Sequence, residues 1–157
     1  MIQRIQSVYL LLATIAMAVS FFFPLADAIG INDSLVLYTY KMESLVPDSV
    51  PELPVYFIWP MLGLSSLVLL FSFMTIFLYK SRMRQLMLIR ISVIMLVVLI
   101  ALFFFYYSPE MERISGGVTM YGVPGAYLPV VALVFLILAS RAIMSDEKLI
   151  RSADRLR

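Results

Sequence analysis

MLIRISVIMLVVLIALFFFYY, residues 87–107, decides the fold. Of its 21 residues only Arg90 is charged. As a helix rising 1.5 Å per residue, such a stretch covers roughly 30 Å, the thickness of a bilayer's hydrocarbon core. Hydrocarbon offers no partner to a backbone N–H or C=O, so a crossing chain must close its hydrogen bonds internally. The ten-residue alternating segments of a membrane barrel are absent, and the stretch reads as a spanning helix. Three further runs match it: residues 5–25 and 55–79, both uncharged, and 126–144, with Arg141 near its end. The sequence predicts an all-α membrane protein, a four-transmembrane-helix bundle in a single domain over 1–157.

Composition agrees. The chain is 62% hydrophobic and 14% charged, against roughly 45–50% and ~25% in soluble domains. That balance excludes a soluble enzyme, a disordered tail and a nucleic-acid-binding domain. The triplet Ala26-Asp27-Ala28 resembles a signal-peptidase pattern. However, the apolar run before it is longer than the 7–15 residues of a signal core, and only Arg4 precedes it. The first run is therefore expected to stay as a span.

Charge sets the orientation. Arg4, Lys80, Arg82, Arg84, Arg90, Arg141, Lys148, Arg151, Arg155 and Arg157 fall on one side of the four spans, and only Lys41 and Arg113 on the other. Lysine and arginine accumulate on the cytoplasmic side. Both termini and the turn at residues 80–84 are expected there, with loops 26–54 and 108–125 outside. Aromatic residues crowd the outer ends of the spans, among them Phe21 to Phe23, Trp59 and Phe103 to Tyr107. Tyr and Trp rings favour the membrane–water boundary. The aromatic and proline pattern repeats in the two halves of the chain, which admits a parallel duplication or simply two similar outer ends.

The outer loops carry strand signals. Residues 35–42, LVLYTYKM, combine large apolar, aromatic and β-branched side chains. In the second loop Gly116-Gly117 separates Glu112 to Ser115 from Val118 to Tyr121, a two-residue hairpin pattern. A small antiparallel β-sheet of about three strands, formed by both loops, is expected to cap the bundle; a disordered loop is the alternative. The tail, 145–157, places Leu149, Ile150, Ala153 and Leu156 on one helical stripe. It reads as an amphipathic segment that lies on anionic lipid or docks a cytoplasmic partner. Leu149, Ile150, Arg151 and Arg155 of the tail, with Tyr38 and Tyr40 of the first loop, are the candidate partner-contact residues.

The chemistry is defined by what is missing. Without cysteine or histidine, thiol nucleophiles, cysteine-ligated metals, histidine-ligated haem and histidine general bases are excluded. The spans carry no ionisable residue except Arg90 and Arg141, near enough to one face to snorkel. Their hydroxyls, including Thr14, Ser65, Ser66, Ser72 and Ser92, suit helix packing; a serine nucleophile would lack a base. Glu110 and Glu112, with Asp27 or Glu52, match no known cation-binding loop. No catalytic residue, metal site or cofactor is expected.

The opening MIQRIQSVYLL, from Met1, and the closing DEKLIRSADRLR, from Asp146, resemble a family of small four-span membrane proteins from Bacteroidota, classed as a domain of unknown function. The resemblance covers the whole chain. It implies a bacterial inner membrane with a periplasmic outer side, and carries over no functional residue. The layout is also similar in shape to claudins, whose usual loop cysteines are missing here. The expected function is that of a non-enzymatic inner-membrane component that interacts with or assembles others. Its partners are the lipid bilayer and a membrane protein or a second copy, with neither nucleic acid nor an identifiable small-molecule substrate. The alternative is a channel or transporter subunit for an apolar or lipid-like substrate, which needs a cavity near Ser65, Ser66 and Ser72.

Overall fold

Each apolar run becomes a helix, but the helices and the runs do not end together. In a computed structural model that describes residues 3–46 and 55–154, helix α1 spans Gln3–Ser20, α2 Trp59–Phe77 and α3 Arg82–Leu102. A π-helical turn, Phe103–Tyr107, carries α3 directly into α4, Ser108–Ser115, and the last helix, α5, runs Pro124–Asp154. Strands β1 (Ala26–Gly30), β2 (Ser34–Leu37), β3 (Met42–Ser44) and β4 (Gly117–Met120) form one antiparallel sheet in the order β3-β2-β1-β4. Helix α1 packs on α2 and most extensively on α5, while α3 packs on the same two, closing a ring. The sheet lies at one end of that ring.

The core is a set of four matching seams. Buried positions are Gln6, Leu10, Ala13, Met17 and Ser20 on α1, and Met61, Ser65, Val68, Ser72 and Thr75 on α2. On α3 they include Gln85, Ile89, Ser92, Leu96, Leu99 and Phe103, and on α5 Ala132, Leu136, Ala139, Ile143 and Asp146. Every seam alternates steps of four and three residues, the 3.5-residue period of helices packed knobs-into-holes. Small and polar residues fill much of these seams and let the backbones approach. Large apolar residues face outward: Leu70, Phe73 and Phe77 on α2, Ile94 and Val98 on α3, Val130 and Val134 on α5 are all exposed. The stretches Trp59–Phe77, Arg82–Ser115 and Pro124–Glu147 are long and apolar enough to cross a membrane, whereas the first apolar helix, Ile5–Ser20, is shorter.

Proline and glycine explain the ends. Pro24 disfavours helical backbone at Phe23, so α1 stops at Ser20 and Leu25 N–H already donates to Leu37 C=O at 2.7 Å, leading into the sheet. Pro109 does not stop α3. It has no N–H for the carbonyl four residues earlier, and the helix widens to the π-turn and continues as α4. Pro129 is likewise accommodated within α5, which continues unbroken past Met144 to Asp154.

The sheet differs from its expectation in two respects. It has four strands, not about three, because Ala26-Asp27-Ala28 is itself strand and residues 35–42 fold back as a hairpin. And Gly116-Gly117 is not a hairpin turn. Glu112 to Ser115 are helical, and Gly116, at φ 68°, closes α4 in the left-handed conformation with its N–H on Glu112 C=O at 2.9 Å, a glycine role at helix C-termini. Gly117 then pairs with Gly30, so close that a Cβ on Gly117 would sit 2.0 Å from Ile29 O. The inward face of the sheet, Ala26, Ala28, Leu35, Leu37 and Thr119, is buried over the helix ends.

Candidate functional site

Polar groups gather at the end of the bundle away from the sheet. Each seam reaches this end with a polar residue: Gln6 from α1, Thr75 from α2, Gln85 from α3 and Asp146 from α5, all buried. Gln6 Nε2 donates to the Asp146 carboxylate, joining α1 to α5. Gln85 Nε2 donates to Thr75 C=O at 3.3 Å, joining α3 to α2, and Thr75 Oγ1 donates back to Phe71 C=O at 2.6 Å. The layer therefore clips the four helices in two antiparallel pairs. Beside it a cavity of about 450 Å³ opens between α1, α2 and α3, lined by Gln6, Ser7, Gln85, Arg82 and Tyr79 together with the apolar Val8 and Ile76.

The sheet end holds a second, narrower space. A slot of about 410 Å³ in all lies between α3 and α5, next to Ser20, Thr39, Ser65 and Phe103. Only about 20 Å³ of it admits the centre of a water molecule, close to the smallest space that holds one. Ser66 faces outward and Ser72 is fully buried. Ser72 Oγ has no hydrogen-bond partner among the described residues. Near the slot, aromatics of the expected boundary belt serve the fold as well. Tyr107 is buried, its hydroxyl donates to Phe57 C=O at 2.7 Å, and the two rings meet edge to face at 4.8 Å. Phe22, Tyr56, Trp59, Phe105 and Tyr127 remain exposed.

Of the expected contact residues, Tyr38 and Tyr40 come together. They flank the turn between β2 and β3, where Lys41 Nζ lies 5.1 Å and 5.5 Å from their ring centres and 2.6 Å from Glu43. The hydrogen bond to Glu43 is the main cause of a Lys41 pKa above the ordinary lysine value. Leu149, Ile150 and Arg151 lie in the last turns of α5, which the structure describes by backbone alone, and Arg155 lies outside the described residues. The acidic groups do not converge. Glu110 pairs with Arg113 at 2.6 Å, Glu112 accepts the Thr119 N–H at 3.1 Å, and Glu52 lies outside the described residues. Asp27, half-buried on the central strand, has its carboxyl pushed above its ordinary 3.8 by that burial.

Sequence reasoning passed over Gln6, Gln85, Asp146 and Arg82. The signal was present. Gln6 is in step with Leu10 and Ala13, Gln85 with Ile89 and Ser92, and Asp146 with Ala139 and Ile143, in the alternating four–three rhythm. Counting apolar residues in a window hides that rhythm, because both faces of these helices carry apolar residues.

A search of curated proteins finds no match. The profile of the family described as "Domain of unknown function (DUF4293)" matches residues 2–156. That span is nearly all of the 157 residues and takes in all the elements above, so the chain belongs to the DUF4293 family.

Proposed function

We propose that this is an integral inner-membrane protein that crosses the bilayer four times, with both termini in the cytoplasm, and acts by binding or assembling membrane components, without catalysis. One observation carries the membrane reading: the bundle is apolar outside and comparatively polar within. Ser65, Ser72, Thr75, Gln85 and Ser92 are buried while Phe73, Phe77, Ile94 and Val98 are exposed. Water would punish that arrangement, whereas hydrocarbon makes it favourable, since lipid accepts the leucines and phenylalanines and the small polar residues gain from close helix contact. Helix α1 covers 18 residues, about 27 Å; the aromatic turn after it extends the reach. The lopsided lysine and arginine distribution supports a sheet on the outer side.

Binding is favoured over passage because the space near Ser65 is narrow. The slot beside Ser65 is the space on which a channel for an apolar substrate would depend, and only about 20 Å³ of it admits the centre of a water molecule. The outward face of the sheet suits contact with a membrane-protein partner. Ile31, in the turn between β1 and β2, is 96% exposed, and Ile29, Val118 and Met120 stand out of the adjoining sheet. Crosslinking at Ile31 or Val118 in native membranes is expected to trap a discrete partner. Recovery of nothing but lipid and uncrosslinked monomer would refute the assembly role. With no native cysteine, single replacements at Ile31 and Val118 should react with an impermeant maleimide in intact spheroplasts, and replacements at Met83 and Ser145 should not. Reaction at Met83 would invert the topology.

A further inference from the structure

We propose that the cavity between α1, α2 and α3, at the end of the bundle away from the sheet, binds the phosphate of an anionic phospholipid. The site rests on the membrane reading above, since its apolar wall takes acyl chain.

Charge comes first. Arg82 lines the cavity at the first position of α3, and it forms no salt bridge with any carboxylate of the described residues. A guanidinium presents a planar fork that matches two phosphate oxygens at once. The 21-residue α3 begins at this same residue, and its N-terminal end bears the positive pole of the helix dipole. No side chain caps that end: the Ser81 hydroxyl instead accepts Arg84 Nε at 2.8 Å. The floor is polar and fixed. Gln85 is 2% exposed and Gln6 7% exposed, each anchored through one amide N–H to Thr75 C=O or Asp146. A primary amide carries two N–H groups, and each of these bonds uses one.

The remaining wall says which phosphate. Val8 and Ile76 flank the polar floor, and Val8 is half exposed on the outside of α1, among the apolar residues that face away from the bundle. A diester whose chains leave along that surface stays solvated by hydrocarbon, while free phosphate would leave the apolar wall wet. Tyr79 stands exposed at the rim, where a phenol suits the headgroup boundary. The volume, about 450 Å³, lies in the range of small-ligand sites. A neighbouring groove on α3 holds Arg84 and Arg90 among Met83, Met87 and Ile94 but has no amide in its lining, and serves as the comparison.

The test uses the full chain in nanodiscs and native mass spectrometry of the released complex. Wild type is expected to retain phosphatidylglycerol over phosphatidylcholine. R82Q should lower that retention about tenfold, the loss of one charge-assisted contact, R82E should lower it further, and R90Q should leave it within about twofold. Trp59 fluorescence melting confirms that each variant is folded. Equal losses in R82Q and R90Q would overturn the site in favour of general charge attraction. Displacement of phosphatidylglycerol by millimolar inorganic phosphate would overturn the lipid as ligand. Extraction of the protein from cells without detergent would overturn the membrane reading itself, whatever R82Q and R90Q show.

Discussion

Replacing Tyr107 by phenylalanine isolates one bond that ties two helices together. The hydroxyl donates to Phe57 C=O at 2.7 Å. Helix α2 has no side-chain cap at Ile58, so Tyr107 closes its first turn from the π-turn after α3. The ring is fully buried and stays in place in Tyr107→Phe, which leaves the Phe57 carbonyl without this donor. A buried group so orphaned costs about 1–3 kcal/mol in water-soluble proteins. Hydrogen bonds between membrane helices average nearer 0.6 kcal/mol, because the unfolded chain finds other partners. The expectation is therefore about 1–2 kcal/mol for Tyr107→Phe. Tyr107→Ala also removes the ring that meets Phe57 edge to face and should cost about 3–5 kcal/mol, as large aromatic truncations do.

The assay is built into the chain. Trp59 is its one tryptophan and opens α2 two residues beyond Phe57, so its emission reports the same junction during a titration from mild detergent into a denaturing one. A Tyr107→Phe midpoint equal to wild type would show that the hydroxyl does nothing for stability. A loss as large as that of Tyr107→Ala would show that the bond, and not the ring, carries the junction. Either outcome would refute this division of energy between hydroxyl and ring.

Three further outcomes follow from the same geometry. Ala139→Leu adds three carbons to a fully buried seam position on α5 and should destabilise by about 1–3 kcal/mol, read in the same titration; a neutral result would mean that the α1–α5 seam is loose. Gly116→Ala places a side chain on a residue at φ 68° and should cost about 1 kcal/mol or more, with the sheet losing amide-exchange protection before the helices. Asp27 has a folded pKa raised by burial above 3.8. Its ionisation thus opposes folding, and stability falls as pH rises from about 4 through the folded value. Asp27→Asn should melt above wild type near neutral pH and match it below about pH 4; a higher melting point at every pH would assign the gain to packing.

Much of the architecture is legible in composition. Four apolar runs separated by proline, glycine and charge give helices wherever the chain must satisfy its own backbone, and the strand signals of both loops do meet in one sheet. Local patterns misled at two places. Gly116-Gly117 fits a hairpin turn as well as it fits a helix C-terminus followed by a strand, because the left-handed conformation serves both. Here the π-turn Phe103–Tyr107 leads straight into α4, which contains Pro109 and runs to Ser115, so Gly116 ends a helix. Residues 35–42 read as one strand, yet Tyr38 N–H bonds Lys41 C=O at 2.8 Å and the run folds on itself.

What the sequence determined alone is a set of long apolar runs with most of the cations on one side of them, a pattern compatible with a bilayer before any contact is known. Which face of each helix turns inward was decided only by the tertiary structure. Hydrocarbon gives no energetic distinction between a leucine pointing in and one pointing out, so amphipathicity cannot mark the core. The distinction comes from small residues that allow close approach and from amides and hydroxyls that need partners. Gln6, Gln85, Thr75 and Asp146 stand far apart along the chain and form one layer only when four helices have closed around them.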